Sequence, residues 1–106
     1  MALKITNNAS SIVPSTIASG DTSVTVSTGD GAKFPILGAG EFFFLTLVDT
    51  NNNFEIVKVT ARTDDTMTIV RAQENTTAMP FPANSRAELR VTAANISLLN
   101  QDVLLL

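Results

Sequence analysis

Residues 41–49, EFFFLTLVD, form an apolar run that leaves no polar face on an extended chain. Successive side chains of a strand point to opposite faces, so Phe42 and Phe44 fall on one face while Phe43 and Leu45 fall on the other. The run follows glycine and ends at DTNNN, a sequence typical of turns because Asp and Asn bond to their own backbone. The segment therefore predicts a central β-strand that is covered on both sides.

Other segments of the chain also have β-type patterning, with apolar residues at alternate positions and turn residues at their ends. The predicted strands are residues 22–28, 54–62, 66–71 and 86–92, and residues 4–6 are a candidate for a sixth strand. In the last predicted strand, Ala87, Leu89 and Val91 are expected to face the core. Short strands at this spacing predict an all-β fold, a small antiparallel β-barrel or sandwich of five to six strands with a short C-terminal helix.

The alternation of two neighbouring segments predicts how they pair. A three-residue loop at residues 63–65 places Val59 opposite Ile69 and Ala61 opposite Met67, so that both apolar faces agree. A two-residue loop would turn one of these apolar sets to solvent, because a slip of one residue inverts a strand. The sequence therefore predicts a hairpin with a three-residue loop.

Two charges interrupt the apolar faces of this hairpin. Glu55 and Arg71 lie diagonal to each other in the predicted register, roughly 7–8 Å apart at the backbone and within reach of long side chains. An unpaired charge on a buried face is costly, so we expect a buried or half-buried ion pair that fixes the register. Gln73 and Glu74 are expected to tie the following loop to the hairpin. These four residues form a predicted structural clasp.

The period of the apolar residues changes near the C-terminus. Thr92 is a suitable helix N-cap, and apolar residues recur at helical spacing at Ile96, Leu99, Val103 and Leu106. Two interpretations remain open. The helix packs on its own β-domain, or it contributes to contacts between chains.

Residues 103–106, VLLL, are apolar without interruption, so no single helix face can hold them all. An exposed apolar segment usually has a partner. The predicted assembly interface comprises Ile96, Leu99, Val103, Leu104 and Leu106. The chain is expected to divide into an N-terminal arm, a β-domain and a C-terminal helical assembly segment, at residues 1–14, 15–92 and 93–106.

Composition excludes several classes of function. The 106 residues contain no Cys and no His, so disulfides, a thiolate nucleophile and the commonest general base are missing. The net charge is −3 and the basic residues are scattered, which argues against a nucleic-acid partner. No window approaches the roughly 18 apolar residues of a membrane span, and the start of the chain does not resemble a signal peptide. We therefore expect no nucleic-acid and no membrane partner, and a chain made in the cytoplasm.

The carboxylates also give little support to catalysis. Asp64 and Asp65 could hold a hard cation, but the alternating oxygen ligands of a Ca²⁺ loop are missing. Glu55 and Glu74 are the pair that the hairpin could bring together, and Arg71 between them favours neutralisation over the facing carboxylates of a glycosidase. The sequence predicts no enzyme, no metal and no cofactor.

The order of these elements resembles a known family. The matching stretches are SGDTSVTVSTGDGAKFP and the region from FFFLTLVD to ELRVTAAN, about residues 15–95. The residues that match the family pattern are Phe34, Pro35, Glu55, Val57, Val59, Arg71, Gln73, Glu74, Thr76, Thr77, Ala78, Leu89, Arg90, Thr92 and Ala93. Together they resemble the small β-domain of tailed-bacteriophage virion proteins, found at the N-termini of tail fibres and in tail adaptor proteins.

Two glycines of the family loop are replaced here, by Ala72 and Asn75. Asn tolerates the left-handed backbone region, whereas Ala72 predicts a position that needs no unusual angle.

The resemblance implies a non-catalytic structural component of a phage virion, made in the host cytoplasm and present in several copies. A tail or fibre-anchoring adaptor is the expected role, with other virion structural proteins as partners and a homo-oligomer, preferably a trimer, as the assembly. A capsid decoration protein is the alternative within this class. A carbohydrate-binding module is the alternative from another class, although it predicts exposed aromatic residues and all six aromatic residues here are Phe.

Overall fold

A single curled antiparallel sheet makes up most of the fold in the computed structural model, which describes residues 3–7 and 9–98. In this part of the chain the strands are β1 (Ser10–Val13), β2 (Ser23–Thr25), β3 (Phe43–Val48), β4 (Phe54–Thr63), β5 (Thr66–Gln73) and β6 (Ser85–Glu88). Their order in the sheet is β1-β6-β3-β4-β5-β2, and the sheet forms a half-barrel. A 3-10 helix, Asp30–Lys33, follows β2, and residues 93–98 are helical. The predicted all-β class with a short C-terminal helix is confirmed.

Strand β3 is the centre of the molecule, as its apolar run predicts. All six of its residues are buried, and it pairs with β4 on one side and β6 on the other. Phe43, Leu45 and Leu47 belong to the main core, where the ring of Phe43 stacks on that of Phe34 at 5.9 Å between centroids. Phe81 is fully buried in the same core. Within residues 3–7 and 9–98, no helix has the length and apolar character needed to cross a membrane.

The β4–β5 hairpin differs from the predicted one in its turn. Thr63 pairs with Thr66, so the loop has two residues and the predicted three-residue loop is wrong. Val59 does pair with Ile69, but Ala61 pairs with Thr68 rather than Met67 because the register shifts between Val59 and Ala61. A β-bulge of this kind inserts one residue and restores the phase of the two apolar faces. Alternation alone cannot distinguish a longer loop from a short turn plus a bulge.

The N-terminal region contributes a strand at a position that the sequence did not indicate. Residues 4–6 form no strand; the isolated bridge in that region joins Leu3 to Phe42. Strand β1 falls within the interval predicted as an arm and pairs with β6, so the sheet extends N-terminal to residue 15. The Ser27 N–H, just after β2, donates to the Ile12 carbonyl at 3.0 Å. The two outer strands of the sheet are therefore linked, and the half-barrel approaches closure.

The sheet ends earlier at its C-terminal side than predicted. Strand β6 stops at Glu88, and Val91, expected to face the core, is 77% exposed. The chain turns away from the sheet here to enter the helical residues 93–98. The side-chain amide of Asn95 donates to the Arg90 carbonyl at 2.9 Å and stabilises this change of direction.

Candidate functional site

The structure brings Glu55 on β4 and Arg71 on β5 into a bidentate ion pair. The Nη2 atom of Arg71 lies 2.8 Å from Oε1 of Glu55, and its Nε atom lies 2.9 Å from Oε2. The carboxylate is fully buried and the Arg71 side chain is only 9% exposed. Two parallel charge-assisted bonds fix both the distance and the orientation of the two side chains. The pair thus sets the relative position of β4 and β5 where the hairpin ends.

The remaining hydrogen-bonding capacity of the pair is used by loop backbone. The Glu55 carboxylate also accepts from the Ala72 and Met79 N–H groups, at 2.9 and 3.0 Å. The Arg71 guanidinium also donates to the carbonyls of Ala18, Asp21 and Met79, at 2.7, 3.0 and 2.7 Å. A buried ion pair is favourable only when its remaining donors and acceptors are satisfied. Here two loops that are distant in sequence are attached to one hairpin through a single pair of side chains.

Both partners are held in their charged forms. Burial on its own raises the pKa of the Glu55 carboxyl, but hydrogen bonds from Arg71 and from the Ala72 and Met79 N–H groups lower it by more. The net pKa of Glu55 lies below its usual range, and the hydrogen bond from Arg71 to Glu55 raises the pKa of the guanidinium. A pair that stays ionised at neutral pH is suited to positioning backbone rather than to transferring protons.

Residue Ala72 corrects one inference from the sequence. Its φ is 57°, so the position does use the left-handed region, and the prediction that it needs no unusual angle is wrong. This conformation directs the Ala72 N–H to the buried Glu55 carboxylate. Asn75, at the other replaced glycine, also has positive φ, at 65°, as its side chain permits.

Replacing Ala72 with glycine is expected to raise the free energy of unfolding by up to about 1 kcal/mol, because relief of left-handed strain exceeds the added entropy of the unfolded chain. Urea denaturation of the variant and the wild type measures the difference. Ala83 is the matched control, since its φ is not positive. Ala83→Gly is expected to lower stability by about 0.4–1 kcal/mol. Equal losses in both variants would contradict the strain at Ala72.

Gln73 and Glu74 act differently from each other. The Gln73 carbonyl accepts the Thr76 hydroxyl at 2.7 Å, and the same hydroxyl oxygen accepts the Ile56 N–H at 3.1 Å, so Thr76 joins the loop to the hairpin. The Gln73 side chain donates only to the Arg71 carbonyl among the described residues. The Glu74 carboxylate instead accepts the Ala94 N–H at 2.9 Å and thereby attaches the loop to the C-terminal helix. Thr76 was not singled out as a site residue from the sequence.

A shallow groove of about 460 Å³ lies next to this loop. Its lining includes Phe54, Ile56, Thr76 and Val91, and Phe54 and Val91 are 52% and 77% exposed. Phe54 and Ile56 were not singled out from the sequence as surface residues. The alternation of side chains along a strand predicts this exposure. Glu55 faces inward, so its neighbours Phe54 and Ile56 must face the other side of the sheet.

The predicted assembly residues fall mostly outside the described part of the chain. Ile96 lies on the helical residues 93–98 and is 52% exposed. Leu99, Val103, Leu104 and Leu106 are outside the described residues. Within residues 3–7 and 9–98, no cluster of three or more acidic side chains could hold a metal ion.

Comparison with known proteins adds no family assignment. A scan against protein-family models found no match, and a search of curated proteins found no relative of this chain. Function therefore has to be inferred from the residues and their geometry.

Proposed function

We propose that this chain is a non-catalytic structural component of a tailed-bacteriophage virion, a multi-copy adaptor in the tail or at the point where fibres attach. The proposal is carried by the internal contacts of the residues that resemble the phage β-domain. Glu55, Arg71 and Thr76 all belong to that pattern, and all three hold loops to the β4–β5 hairpin. These polar residues make hydrogen bonds within the domain, which fits a rigid structural role in an assembly.

The distribution of aromatic side chains supports this choice over carbohydrate binding. Phe34, Phe43, Phe44 and Phe81 are buried in the fold. Phe54 is half exposed, but a single exposed ring does not make the flat aromatic platform on which sugars stack. The exposed apolar residues are aliphatic in the main, which suits contacts with other protein surfaces.

The test is the copy number of this protein in purified particles of the phage that encodes it, measured by quantitative mass spectrometry against the major capsid protein. A tail or fibre adaptor is expected at about a dozen copies or fewer, in a multiple set by the tail symmetry. Hundreds of copies would place the protein on the capsid and support the decoration role instead. Absence from particles that contain their full set of tail proteins would overturn the proposal.

A further inference from the structure

The groove beside the clasp has the chemistry of a peptide-binding surface. Phe54, Ile56 and Val91 give it an apolar floor, while Glu74 and Arg90 contribute one charge of each sign. Ile96, on the adjoining helical residues, is also half exposed. An apolar surface bordered by polar groups is typical of a protein–protein contact.

One polar atom of a residue that lines the groove lacks a partner within the described residues. Glu74 uses Oε1 to accept the Ala94 N–H, but its Oε2 atom is buried and has no hydrogen-bond donor among residues 3–7 and 9–98. A buried carboxylate oxygen without a donor is costly, and such atoms are normally satisfied in a complete structure. The occupant of the groove should therefore bring an N–H donor as well as apolar side chains.

Segment 99–106 of this chain, LNQDVLLL, has the complementary chemistry. Five of its residues are apolar and suit the floor of the groove, and the amides of Asn100 and Gln101 are donors for Glu74 Oε2. Asp102 offers the opposite charge to Arg90. We propose that the groove receives segment 99–106 of a second copy of this chain. The inference rests on the proposed function in one respect, that the protein assembles in several copies.

A second copy, rather than the same chain, is the proposed occupant because the proposed function brings several copies together. Ala93 lines the groove and begins the helical residues 93–98, which lead into segment 99–106. Each chain offers this groove and segment 99–106 once, so head-to-tail contacts form a ring such as a trimer where the rotation between neighbours closes, and a reciprocal exchange gives a dimer.

Two full-length variants and a control test this contact by light scattering after gel filtration. Val91→Arg blocks the groove, and Val103→Asp with Leu104→Asp blocks the segment. Ile36→Arg is the control, because Ile36 is 82% exposed and does not line the groove. We expect the wild type and the control to self-associate, and each blocked variant to associate at least about tenfold more weakly. Urea midpoints close to that of the wild type establish that the variants are folded.

Mixing the two blocked variants gives the decisive result. The Val91→Arg chain keeps an intact segment and the other variant keeps an intact groove, so a 1:1 heterodimer is expected from two chains that do not associate alone. Failure of the mixture to associate, when the wild type does, would overturn the groove contact and indicate a seam between like helices. A monomeric wild type would also overturn it.

These outcomes are separate from the test of the proposed function. A protein found in particles at tail copy number whose blocked variants still self-associate normally would contradict the groove contact alone. A groove-dependent oligomer absent from particles would contradict the virion role alone.

Discussion

Replacing Arg71 with methionine is expected to lower the free energy of unfolding by about 3–5 kcal/mol. The change leaves the fully buried Glu55 carboxylate without its counter-charge, and the carbonyls of Ala18, Asp21 and Met79 lose their donor. Because small domains are stable by only about 5–15 kcal/mol, this is a large share of the total. Urea denaturation followed by circular dichroism measures the loss as a lower midpoint at unchanged slope.

An exposed arginine provides the matched control. The Arg86 guanidinium lies 3.8 Å from Glu88, and the Arg86 side chain is 49% exposed, so Arg86→Met is expected to cost less than about 1 kcal/mol. In a double variant, Glu55→Met with Arg71→Met, the loss should be smaller than the sum of the two single losses, since no buried charge is left unpaired. Additive losses, or an Arg71→Met cost no greater than that of Arg86→Met, would contradict a buried pair that acts as a unit.

The contact between Glu55 and Arg71 could be predicted because a charge is conspicuous on an otherwise apolar strand face. The register could be predicted only in part. The pairing of Val59 with Ile69 followed from alternation. A two-residue turn combined with a β-bulge leaves the apolar residues in the same phase as a three-residue loop, so the sequence could not distinguish the two. The left-handed conformation of Ala72 was not predictable from its own side chain, since it arises from a hydrogen bond to a residue 17 positions away.

The groove was missed for a different reason. Alternation was used to find the inward face of β4, on which Glu55 and Val57 lie, but the apolar residues Phe54 and Ile56 on its other face were not considered as a surface. Val91 was assigned to a strand that ends three residues earlier, at Glu88. Where a short strand ends depends on tertiary contacts, here the bond from Asn95 to the Arg90 carbonyl, and local sequence does not specify it.

Replacing Gly31 with alanine is expected to lower the free energy of unfolding by about 3 kcal/mol. Gly31 lies in the 3-10 helix that packs on the β4–β5 turn, and the Asp65 carboxylate accepts the N–H groups of Gly29 and Gly31, at 3.1 and 2.8 Å. A Cβ at Gly31 would collide with the Asp64 carbonyl oxygen and lie 2.8 Å from the Asp65 Cα. Both neighbours are backbone, so neither can rotate away and the helix must separate from the turn. Thermal or urea unfolding measures the loss.

This separation should also weaken the seam of the half-barrel, which is the link between its outer strands β1 and β2. Asp30, next to Gly31, accepts the Ser11 hydroxyl at 2.7 Å and so links the 3-10 helix to β1. Hydrogen exchange of the β1 amides is therefore expected to speed up in Gly31→Ala, beyond the change due to global stability. Gly20→Ala is the control: a Cβ there meets no described atom within 4 Å, so its stability should be unchanged or raised by up to about 1 kcal/mol. A Gly31→Ala protein as stable as Gly20→Ala would show that the helix can move off the turn at little cost, and the seam would then not depend on this contact.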